Sequence, residues 1–107
     1  MSLIDAQKDV DDWVTQFKIE YFKPLEIMSA ITEEVGELAK EVNNRFGPRT
    51  KKSPDDKTEL SEELADVLFN LTCMANSNNI DLEEAWKRKM DKQNGRDKNR
   101  FERKEYL

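Results

Sequence analysis

The sequence predicts an all-α protein, a four-helix bundle-like protomer whose two central helices pack antiparallel. In four stretches the apolar residues recur three and four positions apart, which places them on one face of a helix. No stretch shows the strict alternation of apolar and polar residues that a half-buried strand requires. With 107 residues, the chain is long enough for one domain with a modest core.

The first helix is predicted from Ser2 to about Glu20, with Asp5 close to its positively polarised start. Trp13 and Phe17 lie on its apolar face. We interpret both as core or subunit-interface residues, with stacking on a nucleotide base as the alternative.

The second helix is predicted from Pro24 to about Arg45. Pro24 suits the first helical position, where its missing N–H leaves no hydrogen bond unmade. Gly47-Pro48 ends the helix, and the polar loop 49–56 that follows is long enough to reverse the chain. Lys51 and Lys52 in this loop could meet a phosphate, but a solvated loop is the simpler interpretation.

The third helix is predicted to begin after a cap at Ser53 or, alternatively, at Thr58, and to end near Asn76. Asp81 is the predicted cap of the fourth helix, and Glu84 three residues later is its capping-box partner.

Asn94-Gly95 is a stop signal for the fourth helix. We therefore predict one domain over residues 1–95. Residues 96–107 form a charged tail that is disordered or becomes ordered only against a partner subunit.

Composition excludes several classes of function. The net charge of −5 and the lack of a dominant basic face argue against a nucleic-acid partner. No apolar run approaches a membrane span or a signal peptide, and Cys73 is the single cysteine, so we expect a cytoplasmic protein without an intrachain disulfide. The chain contains no histidine, which removes the Cys-His and Ser-His-Asp arrangements of nucleophilic catalysis.

Two acidic clusters, Glu33-Glu34-x-x-Glu37 and Glu62-Glu63-x-x-Asp66, lie on the second and third predicted helices. On helical wheels, Glu34 and Glu37 fall on one flank of the apolar seam of their helix, and Glu63 and Asp66 fall on the flank of the same sense. The predicted seams comprise Met28, Ile31, Val35, Leu38 and Val42 on one helix, and Leu60, Leu64, Val67, Leu68 and Leu71 on the other. If the helices pack antiparallel, seam to seam, the four carboxylates converge.

Converging carboxylates raise one another's pKa unless a positive charge lies among them. A hard divalent cation such as Mg²⁺ suits such a set of oxygen ligands and commonly bridges to substrate phosphates. The alternative is that both clusters are solvated helix faces, which is plausible in a chain with 38% charged residues.

The spacing of these acids resembles the E-E-x-x-E…E-x-x-D signature of the MazG-type all-α nucleoside triphosphate pyrophosphohydrolases. Residues 32–38 (TEEVGEL) and 62–68 (EELADVL) look like the two core strings of that family. Residues 80–82 and 89–91 look like its last helix. The resemblance covers roughly residues 10–96.

The resemblance implies hydrolysis of a nucleoside triphosphate or its deoxy form between the α and β phosphates, in the service of nucleotide-pool house-cleaning. The implied cofactor is Mg²⁺, for which Mn²⁺ can substitute. The metal ligands would be Glu34, Glu37, Glu63 and Asp66, with Glu34 or Glu37 as the general base.

For substrate binding the resemblance implies Asn70 as a contact to the base or sugar and Lys89 as a contact to the leaving pyrophosphate. Asn94 and Arg96 would lie behind Lys89, although residues 93–96 (QNGR) depart from the usual spacing of Asn and Arg in the family. Tyr21 and Lys23 are weaker candidates for nucleotide contacts.

The apolar surface of the predicted helices exceeds what one small bundle can cover, so we expect an obligate homo-oligomer. The family resemblance points to a dimer or a dimer of dimers. The main alternative is a non-enzymatic acidic helical module that dimerises and binds a partner. A di-iron bundle is disfavoured because its Glu-x-x-His motifs need histidine.

Overall fold

The computed structural model describes residues 1–48, 53 and 55–104, and in these residues the chain forms four α-helices and no strand. The helices are α1 (Leu3–Val14), α2 (Pro24–Phe46), α3 (Thr58–Ser77) and α4 (Leu82–Asn94). The all-α prediction is thereby confirmed. Lys51 and Lys52, the loop residues suggested for a phosphate contact, lie outside the described residues.

The start of α1 is fixed by a reciprocal capping box. The Asp5 backbone N–H donates to the Ser2 hydroxyl at 3.2 Å, and the Ser2 N–H donates to the Asp5 carboxylate at 3.0 Å. The predicted end at Glu20 is wrong, because α1 stops at Val14. After Thr15 the chain continues as a turn, in which the Phe17 N–H donates to the Val14 carbonyl at 3.3 Å.

The other helix ends follow local signals. Pro24 occupies the first turn of α2, and the Gly47 N–H closes that helix on the Asn43 carbonyl. Of the two predicted starts of α3, Thr58 is correct and Ser53 is wrong. The Asp81 carboxylate caps α4 by accepting the N–H groups of the residues at 83 and 84, as predicted.

The hydrophobic core lies where α1 meets α2 and α3. Its buried residues are Val14, Ile27, Ile31 and Cys73, packed against Val10, Tyr21 and Met74. The predicted seams are only partly buried. Val35 on α2 is 47% exposed and Leu64 on α3 is 53% exposed, because α1 covers only one end of the α2–α3 pair and α4 packs mainly on α1.

The protomer is more extended than its length requires. Its radius of gyration is 17.5 Å, whereas a compact chain of this length has about 13 Å. No residue of α4 is buried, and Trp86 at its centre is 56% exposed. A single copy therefore leaves much apolar surface in contact with water.

A polar network ties α1 to the end of α3 and the start of α4. The Gln7 amide donates to the Asn76 side chain and the Ile80 carbonyl, both at 2.8 Å, and it accepts the Leu82 N–H at 2.9 Å. The Asn76 amide in turn donates to the Tyr21 hydroxyl at 3.0 Å. This network orients α4 and holds the turn between α1 and α2 against α3.

We predict that Gln7→Ala lowers the free energy of unfolding by about 1–3 kcal/mol, because it leaves partly buried donors and acceptors without partners. Urea denaturation measures the change. Gln93→Ala is the matched control, since it makes the same substitution at an exposed helical position, and we expect it to change stability by less than about 0.5 kcal/mol. Equal effects of the two variants would contradict the structural role of Gln7.

Candidate functional site: an acidic cluster between α2 and α3

Three carboxylates from two helices meet at one point of the α2–α3 interface. Carboxylate oxygens of Glu34, Glu63 and Asp66 lie within 4.8 Å of one another. Glu34 and Glu63 are half-buried, while Asp66 is exposed. The i, i+3 spacing of Glu63 and Asp66 places both on the same face of α3, opposite Glu34 of α2. Among the described residues the structure thus brings together three of the four predicted metal ligands.

Glu37, the fourth predicted ligand, is exposed and lies outside this group of three. It is nevertheless close enough to act on the group electrostatically. The pKa of Glu34 is raised first by partial burial of its carboxylate and then by the charges of Asp66, Glu33 and Glu37. Glu37 is therefore at the edge of the cluster.

Glu63 is the most constrained member of the cluster. Its pKa is also raised first by desolvation, and then by the neighbouring charges of Asp66, Glu34, Glu37 and Glu41. Its Oε2 atom is buried and makes no hydrogen bond within the described structure. A buried anionic oxygen without a donor is costly, so this atom suits an electropositive ligand.

Beyond the cluster, toward the C-terminal end of α2, lies a buried ion pair that the sequence analysis did not identify. Arg45 is 2% exposed and donates to the Glu41 carboxylate at 2.9 Å and to the Ser53 carbonyl at 3.0 Å. The i, i+4 spacing of Glu41 and Arg45 is the sequence feature that could have indicated this ion pair. Arg45 thus links the last turns of α2 to the connection that leads into α3.

An apolar pocket of about 330 Å³ lies between α1, α2 and α3. Its wall carries the aromatic rings of Trp13, Phe17, Tyr21, Phe22 and Phe69. Asn70, predicted to contact the base or sugar, also lines this pocket, and its amide donates to the Asp66 carbonyl one turn earlier at 3.0 Å. The pocket and the carboxylates are therefore about one helical turn apart.

The predicted phosphate-binding residues lie on a different part of the fold. Lys89 and Asn94 belong to α4, Arg96 follows it, and α4 packs mainly on α1. Arg96 bonds to the Asp97 carboxylate at 3.3 Å. That bond, together with the charges of Arg96, Lys89 and Lys92, lowers the pKa of Asp97. No contact of these residues with the acidic cluster is seen in the described part of the chain.

Comparison with known families accounts for the paired acids on α2 and α3. The sequence profile of the MazG nucleotide pyrophosphohydrolase domain matches residues 22–101, which include both acidic strings. The chain belongs to the MazG nucleotide pyrophosphohydrolase family. Membership supports a hydrolase and confirms the resemblance inferred from the acidic strings.

Relatives of known sequence or structure agree with the MazG assignment. The chain is 54% identical to protein YpjD of Bacillus subtilis (strain 168), covering 94% of this chain and 91% of YpjD. The crystal structure of Bacillus subtilis YPJD matches with a TM-score of 0.80 at 50% identity, over 86% of this chain and 94% of that one. A structure of the Bacillus-conserved MazG protein, a nucleotide pyrophosphohydrolase, matches with a TM-score of 0.73 at 48% identity, over 86% and 88% of the two chains.

Within the described residues, no helix combines the length and the apolar character needed to cross a bilayer.

Because the pKa of Glu63 is raised in the folded state, the folded protein binds a proton there more tightly than the unfolded chain does. The corresponding stabilisation is present below the ordinary pKa of 4.5 and is lost as the pH rises through the raised value. We predict that, in EDTA, the melting temperature of the wild type falls relative to that of Glu63→Gln between pH 4 and pH 7.

Glu62→Gln is the matched control, since Glu62 is exposed on the neighbouring position of α3. Its melting temperature should keep a constant offset from that of the wild type over the same range. A constant offset for Glu63→Gln as well would show that the cluster stores no electrostatic repulsion.

Proposed function

We propose that this chain is a divalent-metal-dependent nucleoside triphosphate pyrophosphohydrolase. The reaction consumes an NTP or dNTP and water, and it releases the nucleoside monophosphate and pyrophosphate. Attack by water at the α-phosphorus forms one P–O bond while the bond to the α–β bridging oxygen breaks. The observation that carries the proposal is the set of three carboxylates within 4.8 Å in a chain of the MazG family.

The residues present fit a hard divalent cation. Two oxygens on opposite sides of one Mg²⁺ stand about 4.2 Å apart, close to the spread of the three carboxylates. The buried Oε2 of Glu63 offers a ligand atom that no protein donor occupies among the described residues. We therefore propose Mg²⁺, with Mn²⁺ as a substitute, held by Glu34, Glu63 and Asp66, with Glu37 at the edge of the site.

When bound, the cation supplies charge neutralisation for the triphosphate, orientation of the α-phosphate and an acidified water. The protein supplies the general base that would accept a proton from this water. Glu34 and Glu37 are our candidates, because Glu34 is one of the three gathered carboxylates and Glu37 is close enough for its charge to act on Glu34. The proton of the attacking water would pass to one of these carboxylates.

We propose that the apolar pocket receives the base and sugar of the nucleotide. Its volume lies in the range of small-molecule sites, and its aromatic rings offer stacking surfaces. Along α2 the pocket residue Ala30 precedes Glu34 by one turn, and along α3 the pocket residue Asn70 follows Asp66 by one turn. This order supports the predicted antiparallel packing of α2 and α3.

We further propose that the active form is a homo-oligomer, a dimer or a dimer of dimers. The extended protomer and its half-exposed seams support this proposal, since association would cover apolar side chains that one copy leaves in water. The non-enzymatic module considered above has no observation in its favour once the family is known.

The direct test is a panel of nucleoside triphosphates incubated with Mg²⁺ in ¹⁸O-labelled water. We predict pyrophosphate as the first product and the label in the monophosphate, because the α-phosphorus is attacked. Orthophosphate as the first product, or label in pyrophosphate, would contradict cleavage between the α and β phosphates.

Variants of the cluster extend this test. We predict that Glu63→Gln and Asp66→Asn abolish the rise in melting temperature caused by Mg²⁺. They should also lower kcat/KM by more than the roughly 10–100-fold typical of residues that only support metal ligands. Glu62→Gln is the control that should keep both properties. A metal response that survives in both cluster variants would exclude these ligands.

Asn70 provides a separate prediction about substrate choice. We predict that Asn70→Ala changes the ratio of kcat/KM between two nucleotides with different bases, because the amide lies in the pocket wall. The Mg²⁺-induced rise in melting temperature should remain, since Asn70 is not among the clustered carboxylates. An unchanged ratio across the panel would remove Asn70 from base recognition.

A further inference from the structure

We propose that Asp11 and Asn76, which do not line the apolar pocket, are positioning residues for nucleotide binding that act through the hydroxyl of Tyr21. The hydroxyl holds residues 18–22, here called the pocket segment, in place as one wall of the pocket. The inference rests on the proposed function and goes beyond it, because it assigns control of nucleotide affinity to two side chains outside the site.

The pocket segment belongs to no helix. It lies in the connection between the end of α1 at Val14 and the start of α2 at Pro24. Four residues of the pocket wall come from this segment, namely Ile19, Glu20, Tyr21 and Phe22. The shape of the pocket therefore depends on a stretch of chain that no helical hydrogen bonds hold.

Burial holds the pocket segment at one residue. Ile19 is 71% and Phe22 is 61% exposed, and Lys18 and Glu20 are exposed as well. Tyr21 is the exception, because it is half-buried and its side chain packs against the core. Within the described part of the chain, the hydrogen bonds of the segment are those of the Tyr21 hydroxyl. This side chain is therefore the anchor of the segment.

The hydrogen bonds around the Tyr21 hydroxyl have a fixed direction. The Asn76 amide nitrogen donates to the Gln7 carbonyl at 2.9 Å and to the Tyr21 oxygen at 3.0 Å. The phenol hydrogen is left to point toward Asp11, whose Oδ1 accepts it at 2.6 Å. Burial and the bond to Asp11 raise the pKa of Tyr21 to about 12, so the phenol keeps its proton and remains a donor at neutral pH.

Loss of the bond between Tyr21 and Asp11 would weaken nucleotide binding. A hydrogen bond to an ionised carboxylate is roughly twice as strong as one between neutral groups. Without it the pocket segment would populate arrangements in which the pocket lacks one wall. The apparent affinity for a ligand would then fall in proportion to the fraction of molecules that keep the wall in place.

Three variants test the anchor. Tyr21→Phe keeps the ring and removes only the hydroxyl, Asp11→Ala removes the acceptor, and Asp11→Asn keeps an acceptor oxygen without its charge. We expect Tyr21→Phe and Asp11→Ala each to raise KM for the best nucleotide about tenfold, and Asp11→Asn to raise it about threefold because its bond has roughly half the strength.

The value of kcat should change by less than about twofold in all three variants, because the gathered carboxylates are not part of this network. The rise in melting temperature caused by Mg²⁺ should remain for the same reason. Asp9→Ala is the matched control, since Asp9 is exposed on the same helix, and it should keep the KM of the wild type.

The double variant Tyr21→Phe/Asp11→Ala tests whether the two residues act through one bond. Its KM should rise no further than that of either single variant, because both changes remove the same interaction. A rise of about a hundredfold, the product of the two single effects, would show independent roles. A fall in kcat with an unchanged KM would connect the network to the chemical step. Either result overturns the proposal.

A second readout does not depend on nucleotide hydrolysis. Backbone ¹⁵N order parameters and relaxation dispersion report motions faster than nanoseconds and in the microsecond to millisecond range. We expect residues 18–22 to become more mobile in Tyr21→Phe and Asp11→Ala and to stay unchanged in Asp9→Ala. Residues of α2 provide the internal check that each variant is folded. A pocket segment as rigid as in the wild type would show that the hydroxyl is not its anchor.

These outcomes separate the inference from the proposed function. If the wild type hydrolyses no nucleotide, the proposed function fails, and the relaxation data still decide whether the hydroxyl anchors the segment. If the wild type hydrolyses nucleotides while Tyr21→Phe and Asp11→Ala keep its KM, the proposed function stands and the inference is wrong.

Discussion

Repulsion among carboxylates at the α2–α3 interface is the constraint on which the rest of this structure depends. Glu34 and Glu63 project from different helices toward Asp66, and partial burial together with neighbouring negative charge raises the pKa of both glutamates. Such an arrangement lowers the stability of the metal-free protein above the pKa values of these groups. The fold keeps this cluster although it lowers the stability of the metal-free protein, and the same cluster provides a site for a divalent cation and a polyphosphate.

Contacts on both sides of the cluster hold α2 and α3 in place. Toward the C-terminal end of α2, Arg45 pairs with Glu41 and donates to the Ser53 carbonyl, so it ties α2 to the connection that leads into α3. At the other end, the Gln7 and Asn76 network and the core around Ile27 and Cys73 join α1 to the pair. The cluster thus lies between two anchored ends of the same two helices.

Much of this arrangement follows from sequence patterns that act locally. Apolar periodicity, the Asp81 cap and Pro24 predicted the four helices, and matched wheel offsets predicted that acids of α2 and α3 would converge. The end of α1 was missed because Phe17 continues the helical spacing from Trp13, yet their rings also pack, 5.0 Å apart, across a turn. The exposure of the seams and the burial of Arg45 depend on tertiary packing, and periodicity in a single helix carries no information about which part of a seam another helix covers.

The central claim is that these carboxylates gather to hold a cation, and diffraction from crystals soaked in Mn²⁺ tests it most directly. Mn²⁺ accepts the same oxygen ligands as Mg²⁺ and is visible by its anomalous scattering. The account predicts an anomalous peak between Glu34, Glu63 and Asp66, with oxygens of all three within coordinating distance. Crystals that show no peak at this position, with the three carboxylates turned apart toward solvent, would contradict it.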